Sequence, residues 1–278
     1  MIRKKRLNRL GTGLFTFISI FYVLPVVVVL FNSFKKKSYI NLEPFKLPNE
    51  TTFTGLDNYT TAINQYDFLK AVGWTVFITV GSVLVILICT SMCAWFITRV
   101  KNRVTKGIYI LCVFSMVVPF QMVMFTLSLV TDRLGLGTPW GLIIIYLGFG
   151  AGLAVFMFCG FVKSIPIEIE EAAMIDGCSP IRTFFSVVLP IMKPTYISVG
   201  ILETMWIWND FLLPYLTLDI KKYKTISIVI QYMKGSYGRV DMGAIMAALI
   251  MAVIPVVIFY LSCQKHIIKG VAAGAVKG

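Results

Sequence analysis

Six apolar blocks, each about as long as a membrane is thick, limit what this chain of 278 residues can fold into. An α-helix needs about 20 apolar residues to cross a hydrocarbon layer of about 30 Å. Apolar residues make up 58% of the chain and charged residues only 14%, whereas soluble domains carry about 25% charged residues. The sequence therefore predicts an all-α polytopic membrane protein, with one transmembrane domain over 1–278 and six spans at about 11–34, 71–98, 107–131, 140–163, 194–218 and 240–263.

The first block follows a basic leader, Met-Ile-Arg-Lys-Lys-Arg, of the kind that opens a signal peptide. The apolar run behind it is too long for a signal peptide and has no convincing small-residue cleavage site. We therefore interpret it as an uncleaved first helix.

Positive charges cluster before the first block and in the short link between the second and third blocks. Because cytoplasmic loops of membrane proteins are enriched in Lys and Arg, both places are predicted to be cytoplasmic, and with six spans so is the tail at 264–278. Lys35–Lys37 and Lys221–Lys224 would then lie outside, against this trend. The net charge of +13 is accordingly attributed to orientation in the membrane and not to nucleic-acid binding.

Motifs for catalysis and for metal binding are missing from the sequence. The six cysteines are scattered without ligand spacing, and His266 is the single histidine. Neither a phosphate-binding GxxxxGK[ST] loop nor a GxSxG or HExxH motif occurs. We predict a chain that is not an enzyme, with no catalytic residues, no metal site and no cofactor of its own.

The longest predicted cytoplasmic loop, at 164–193, has the local chemistry of two short helices. Pro166 suits the first position of a helix, with glutamates behind it where the helix dipole favours negative charge. Gly177 suits a left-handed stop, and Ser179 a cap for the second helix. Pro190 is expected to end that helix.

The two predicted helices differ in character. The first is acidic and carries small alanines that would let another protein approach closely, and the second has an apolar stripe that could seat it against the spans. An element of this kind either docks a soluble partner or rests on the membrane as an amphipathic loop, and the residues alone leave both open. The stripe consists of Ile181, Phe184, Phe185 and Val188.

In the same loop, Glu171-Ala172-Ala173 is followed by Gly177 after three residues and by Val187-x-Leu189-Pro190 after nine more. This pattern resembles the EAA loop of ATP-binding-cassette (ABC) importer permeases, with Val187 where the family has Ile. Asp176 before Gly177 is similar to the version found in sugar importers. Further stretches resemble the smaller permease subunit of maltose-type importers: Pro25 with Asn32-Ser33-Phe34-Lys35, Leu134-Gly135-Leu136-Gly137-Thr138, Trp208-Asn209-Asp210-Phe211, and the ending Ala273-Gly274-Ala275-Val276-Lys277-Gly278.

This resemblance implies a type I ABC importer permease of MetI-like fold in the bacterial cell membrane, moving a carbohydrate, with di- or oligosaccharides favoured. Its partners would be a second related permease, two copies of an ATP-binding subunit that uses ATP and Mg, an extracytoplasmic sugar-binding protein and the lipid membrane, but no nucleic acid. The tail, through Gly274 and Lys277, would reach the ATPase interface. The residues assigned to ATPase docking are Glu170, Glu171, Ala172, Ala173, Asp176, Gly177, Leu189 and Pro190.

Two acidic residues, Glu203 and Asp210, fall in the fifth block seven positions apart, which predicts one shared helix face. Ionisable groups inside a membrane usually face a cavity or a partner charge. With Trp206 and Asn209 they form a candidate substrate path, since aromatic faces and carboxylates suit a sugar. Alternatively, Asp210 is interfacial and the aromatic residues belong to the membrane-interface belt. An ion-gradient-driven secondary transporter using the two carboxylates is the competing function.

Glycine and proline mark further places of interest within the blocks. Gly148 and Gly152 form a GxxxG pattern with Gly150 between them, which predicts close packing against a neighbouring helix. Prolines inside apolar blocks are candidate kinks, and they are Pro25, Pro119 and Pro255.

Overall fold

The computed structural model describes residues 2–235 and 240–275, with side chains over 11–235 and 240–265. Over these residues the regular structure is helical, apart from an isolated bridge between Lys35 and Phe53. The helices are α1 Ile2–Asn32, α2 Lys37–Leu42, α3 Asp57–Gln65, α4 Phe68–Arg99, α5 Arg103–Val117, α6 Phe120–Arg133, α7 Pro139–Val162, α8 Ile167–Ile175, α9 Pro180–Thr183, α10 Leu189–Ile191, α11 Lys193–Asn209, α12 Leu212–Thr217, α13 Ile226–Met233 and α14 Met242–Ala275, with a π-helical segment Phe184–Val188 between α9 and α10.

Four helical stretches in the described part of the chain are long and apolar enough to cross a membrane. They are Gly11–Asn32, Phe68–Arg99, Pro139–Val162 and Met242–Lys265. Two bent helix pairs raise the number of candidate spans to six if each pair counts as one. The chain is therefore a multi-pass membrane protein with four to six spans.

The third predicted span is broken where the sequence suggested one helix over 107–131. Helix α5 ends at Val117, and α6 starts at Phe120 at an angle of 107° to it. Pro119 explains the break, because a proline has no N–H to donate and pushes the residue before it, Val118, out of the helical region. Val118 accordingly has an extended backbone, with φ −76° and ψ 116°.

The fifth predicted span, 194–218, is also interrupted. Helix α11 ends at Asn209, and Asp210 takes an extended conformation before α12 begins at Leu212. The Asp210 Oδ1 atom accepts the Leu212 N–H at 3.0 Å, so this carboxylate starts a new helix instead of continuing the old one. A second bend, of 78°, separates Pro180–Ile191 from Lys193–Asn209.

Residue contacts divide the chain into two compact units. The first contains α1 to α3 and the stretch Ile228–Val257. In it, the segment after α1 is held by polar side chains: the Asn58 Nδ2 atom donates to the carbonyls of Ser33 and Lys35, both at 2.8 Å. The Lys35 Nζ atom donates to the Glu43 carbonyl at 2.8 Å, and Lys35 is only 1% exposed. Burial lowers the pKa of Lys35. Lys35 therefore has a structural role here, which accounts for one charge that runs against the orientation signal.

The second unit contains Ala71–Ser227 and the chain from Ile258 onward, and α7 is packed most deeply within it. Helix α5 packs along α7 at Gly152, where an added Cβ would lie 2.6 Å from Met116 Cγ and 2.7 Å from the Cys112 carbonyl oxygen. A Cβ at Gly150 would lie 2.7 Å from Ile86, whereas Gly148 has nothing within 4 Å. The close approach predicted from the GxxxG pattern is thus made by Gly150 and Gly152 and not by the pair Gly148 and Gly152.

The last helix reaches further than the predicted sixth span, 240–263. Helix α14 starts at Met242 and continues to Ala275, through Pro255 and most of the predicted tail. The backbone at Gly274 is therefore helical. Lys277, the other tail residue assigned to partner contact, lies outside the described residues.

Candidate functional site

The loop between α7 and α11 is built around a sharp turn at Gly177. Helix α8 ends with two backbone bonds: Gly177 N–H donates to the Met174 carbonyl and Cys178 N–H to the Ala173 carbonyl, both at 3.0 Å. This pairing is a Schellman motif, which needs a left-handed residue at its first position past the helix cap. Gly177 has φ +86°, a value that costs glycine little and other residues more.

The second half of the loop runs from α9 through the π-helical segment to α10. The Ser179 Oγ atom accepts the Arg182 N–H at 3.4 Å, and Pro180 is the first helical residue. The prediction that the second helix ends at Pro190 is wrong by one residue, because helical structure continues to Ile191. The wider π turn places the Leu189 N–H on the carbonyl of Phe184, five residues back, and this wider spacing accommodates the proline that follows.

A buried ion pair fixes α8 to the end of α4. The Arg99 Nη2 atom lies 2.6 Å from Glu170 Oε1, and the Arg99 Nε atom lies 3.0 Å and 3.2 Å from the two carboxylate oxygens. The Trp95 Nε1 atom donates to Glu170 Oε2 at 2.9 Å, and Arg99 Nη2 also donates to the Ile165 carbonyl at 2.9 Å. We call Trp95, Arg99 and Glu170 the loop anchor. Such two-point binding of a carboxylate by a guanidinium fixes orientation as well as distance.

The π-helical segment adds an apolar seat beside the loop anchor. Phe184 and Val188 are fully buried, and the Phe184 ring centroid lies 5.5 Å from that of Trp95. Ile181 and Phe185, which were predicted to share this role, are 66% and 45% exposed. Only half of the predicted stripe therefore faces inward.

The opposite side of the loop is exposed and mixes acidic, small and apolar residues. Ile175 is 85% exposed, and Met174 and Ile181 are also exposed. Large apolar side chains grouped on a surface commonly mark an interaction site. The sequence interpretation did not single out Met174 or Ile175. Among the predicted docking residues, those that are also exposed are Glu171, Ala172, Asp176, Gly177 and Pro190.

The remaining predicted docking residues are less accessible. Ala173 and Leu189 are half-buried, and Glu170 is only 2% exposed inside the loop anchor. Glu170 therefore positions the loop from behind. Nothing in the sequence linked Glu170 to Arg99, because the two residues lie 71 positions apart with other helices between them in the chain.

Three of the four residues of the candidate substrate path lie along α7. The Asp210 Oδ2 atom accepts a hydrogen bond from the Tyr146 hydroxyl at 3.0 Å, and the Trp206 ring lies edge-on to Tyr146, with centroids 5.4 Å apart. Glu203 lies beside Gly150, which is one helical turn after Tyr146 on α7. A Cβ added at Gly150 would come within 2.9 Å of Glu203 Oε2. Gly150 thus makes room for a carboxylate in the interior of the helix packing.

Glu203 and Asp210 were predicted to share one face of a continuous helix, but they come to the same side of α7 in another way. The α11 helix ends at Asn209, so a seven-residue helical repeat does not connect the two carboxylates. Both instead face α7, Glu203 from within α11 and Asp210 from the extended residue after it. Glu203 is 2% exposed, and within the described residues its Oε2 atom has no hydrogen-bond partner. Asn209 is exposed and donates to the Met205 carbonyl at 2.7 Å.

Comparison with known proteins identifies the family once this arrangement is described. Residues 87–273 match the model of the family described as "Binding-protein-dependent transport system inner membrane component". The match starts within α4 and covers the loop anchor, the Gly177 turn and α11. The chain belongs to this family. As a family member it is a transport component of a membrane and not a catalytic enzyme.

Curated relatives of this transport component extend over nearly the whole chain. It is 39% identical over 277 residues to the probable starch degradation products transport system permease protein AmyC of Thermoanaerobacterium thermosulfurigenes, covering 99% of this chain and 98% of AmyC. It is 36% identical to the multiple sugar-binding transport system permease protein MsmG of Streptococcus mutans, covering 93% of each. It is 29% identical to the melibiose/raffinose/stachyose import permease protein MelC of Bacillus subtilis, covering 97% of each.

A solved structure shares the fold of this transport component. The match is to a chain of a bacterial ABC transporter involved in the import of the acidic polysaccharide alginate, with a TM-score of 0.75. It covers 94% of this chain and 96% of the other at 20% sequence identity. The ABC importer permease fold is therefore established for this chain, as the resemblance in its sequence predicted.

Proposed function

We propose that this chain is the permease subunit of an ABC importer that moves a carbohydrate into the cytoplasm, with ATP hydrolysed by a partner subunit. The observation that carries the proposal is the two-sided loop between α7 and α11. One side is fixed to α4 by the loop anchor, and the other exposes Glu171, Ile175 and Ile181. A loop that is rigidly held from behind and open in front suits transmission of a push from a soluble ATPase to the helices.

The proposed substrate is a di- or oligosaccharide. AmyC, MsmG and MelC all carry names that refer to sugars or starch products, and each aligns with more than nine-tenths of this chain. The exposed Trp206 ring lies against the buried Tyr146, whose hydroxyl donates to the Asp210 carboxylate, and an aromatic ring near a carboxylate is chemistry that a sugar can use. A contribution of Glu203, Trp206, Asn209 and Asp210 to the path belongs to this proposal.

The proposed complex contains a second related permease, two ATP-binding subunits that use ATP and Mg, and an extracytoplasmic sugar-binding protein. We place both termini and the Gly177 loop in the cytoplasm, because Lys and Arg cluster before α1 and between α4 and α5. The family description, which names binding-protein-dependent transport, supports the need for a binding protein.

Two variants of the exposed face test the proposal: Glu171→Lys reverses a charge at the predicted contact, and Gly177→Pro cannot adopt φ +86°. Each should abolish uptake and reduce recovery of the ATPase with the tagged chain, while membrane insertion is unchanged. Glu50→Lys, the same charge reversal at an exposed residue of the segment between α1 and α4, is the matched control. Normal uptake by a well-expressed Glu171→Lys and Gly177→Pro double variant would contradict the proposal.

The composition of the purified complex separates this function from a secondary transporter driven through Glu203 and Asp210. Mass spectrometry of the tagged chain, purified in mild detergent from its native host, should recover an ATPase and a second permease. Uptake should also stop when ATP is depleted and persist briefly with a protonophore. Uptake with the opposite dependence, by a chain that purifies alone, would favour the secondary transporter.

A further inference from the structure

A cavity of about 510 Å³ opens between the end of α4, the start of α5 and the end of α7. Four of the residues that line it are cations: Lys101, Arg103, Lys106 and Lys163. They come from two separate parts of the chain, 101–106 and Lys163, and meet around one space. We call this the basic cavity.

No acidic residue lines the basic cavity, and none of its four cations belongs to an ion pair found among the described side chains. The neighbouring Arg99 differs, because its charge is already balanced by Glu170. Four like charges around one space repel each other, and a bound anion would remove that repulsion. The cavity therefore selects for negative charge.

The rest of the basic cavity's lining combines three apolar or aromatic residues with the polar Thr98, Asn102 and Thr105. Ile97, Tyr109 and Cys159 line it, and Cys159 is buried. Val100, in the α4–α5 link, and Val104, in the first turn of α5, are exposed apolar residues. The cavity also lies where two membrane-crossing helices end, at Arg99 and at Val162. Apolar residues do not stabilise a hydrated anion, whereas near the ends of membrane-crossing helices a lipid has a charged headgroup joined to hydrocarbon.

We propose that the basic cavity binds the phosphodiester headgroup of an anionic phospholipid such as phosphatidylglycerol. Lys101, Arg103, Lys106 and Lys163 would hold the phosphate, and the acyl chains would leave along the apolar wall. Basic pockets between transmembrane helices are known places for anionic headgroups, and a volume of this size is ordinary for a small-molecule site. The proposal depends on the chain spanning a membrane and not on the transported solute.

Three consequences separate this site from a general preference for positive loops. Binding requires the cavity cations and not cations elsewhere, it requires a negative headgroup, and it requires the lipid and not phosphate alone. The test uses the full-length chain with the subunits that co-purify with it, in a neutral detergent. The probes are dioctanoylphosphatidylglycerol, dioctanoylphosphatidylcholine and inorganic phosphate, and native mass spectrometry gives the apparent Kd of each.

The triple variant Lys101→Gln, Arg103→Gln, Lys106→Gln should bind dioctanoylphosphatidylglycerol about a hundredfold more weakly, at roughly fivefold for each charge. A control triple, Lys37→Gln, Lys70→Gln, Lys221→Gln, removes the same charge from exposed lysines outside the cavity and should leave the affinity unchanged. Dioctanoylphosphatidylcholine should bind weakly to every form.

Two further variants keep the test sharp if the triple variant inserts poorly. Lys163→Gln, at the end of α7 and outside the α4–α5 link, should weaken binding by roughly fivefold. Lys101→Arg with Lys106→Arg keeps the charge and should keep the affinity.

Several results would overturn the proposal. Equal losses in the two triple variants, or no loss in either, would reduce the effect to overall charge. Inorganic phosphate that displaces the lipid at similar affinity would assign the cavity to a small soluble anion. Loss of the ATPase from the triple variant, with lipid affinity unchanged, would assign Lys101, Arg103 and Lys106 to protein docking.

Discussion

The loop anchor of Trp95, Arg99 and Glu170 should respond to mutation as a buried ion pair and not as a surface one. Replacing Glu170 by alanine leaves the Arg99 guanidinium, 18% exposed, without its carboxylate. Removing one partner of a buried pair lowers the free energy of unfolding by about 3–5 kcal/mol, because the remaining charge stays uncompensated. Arg99→Ala should cost a similar amount. Trp95→Phe removes one hydrogen bond to a charged acceptor and should cost about 1.5–3 kcal/mol.

The double variant Arg99→Met, Glu170→Met removes both charges and retains side-chain volume. We expect it to cost less than either alanine variant, because no charge is left buried without a partner. The assay is unfolding in mixed micelles with increasing dodecyl sulfate, followed by helical circular dichroism. Lys46→Ala, which breaks the exposed pair of Lys46 and Glu43, is the control and should cost less than about 1 kcal/mol.

A double variant as destabilised as the sum of the two alanine variants would refute this reasoning. Additive losses would mean that the two side chains act separately and that the geometry of the pair is incidental. A control loss as large as that of Glu170→Ala would show that the assay does not separate buried pairs from exposed ones.

Three smaller perturbations test other parts of the same unit. Gly152→Ala should lower the free energy of unfolding by about 1–3 kcal/mol in the same assay, because its methyl group would meet Met116 and a backbone carbonyl at the α5–α7 contact. Gly148→Ala is the control and should be neutral or slightly stabilising, because its methyl group would meet nothing. Equal effects of the two variants would contradict the packing argument. Gly177→Ala should cost about 1–2 kcal/mol because φ is +86°, and its uptake rate should fall less than that of Gly177→Pro; a rate equal to that of the proline variant would show that any side chain blocks the turn. Tyr146→Phe should lower the free energy of unfolding by about 1–3 kcal/mol in the same assay, since Asp210 loses a hydrogen bond. An unchanged unfolding curve would show that this bond does not contribute to stability.

Features set by local chemistry were accessible from the sequence. Gly177 followed from the need for a left-handed residue after an acidic helix, and Ser179 from the demand for a cap. Four apolar blocks coincide with long helices because the thickness of the hydrocarbon layer alone fixes their size. The position of each of these features depends on residues close to it in the chain.

Features set by contacts between distant residues were not accessible. At Pro119 the sequence did predict a kink, and the structure confirms a break there, but nothing local to the proline gave its angle of 107°. Asp210 looked like a member of a helix face, yet its carboxylate takes the first N–H groups of the next helix. The pairing of Arg99 with Glu170 depends on how α4 and α8 come together, and no spacing in the sequence encodes that meeting.

The π-helical segment Phe184–Val188 makes the angular setting of the loop depend on a single residue. A π turn holds one more residue than an α turn, and each residue of an α-helix advances the chain by about 100° around the axis. Closing Phe184–Val188 into a regular helix would therefore swing everything on its amino-terminal side, including the exposed face at Ile175 and Ile181, by about a quarter of a turn relative to Pro190. The orientation of that exposed face is thus set by one extra residue, which lies just before the 78° bend that leads into α11.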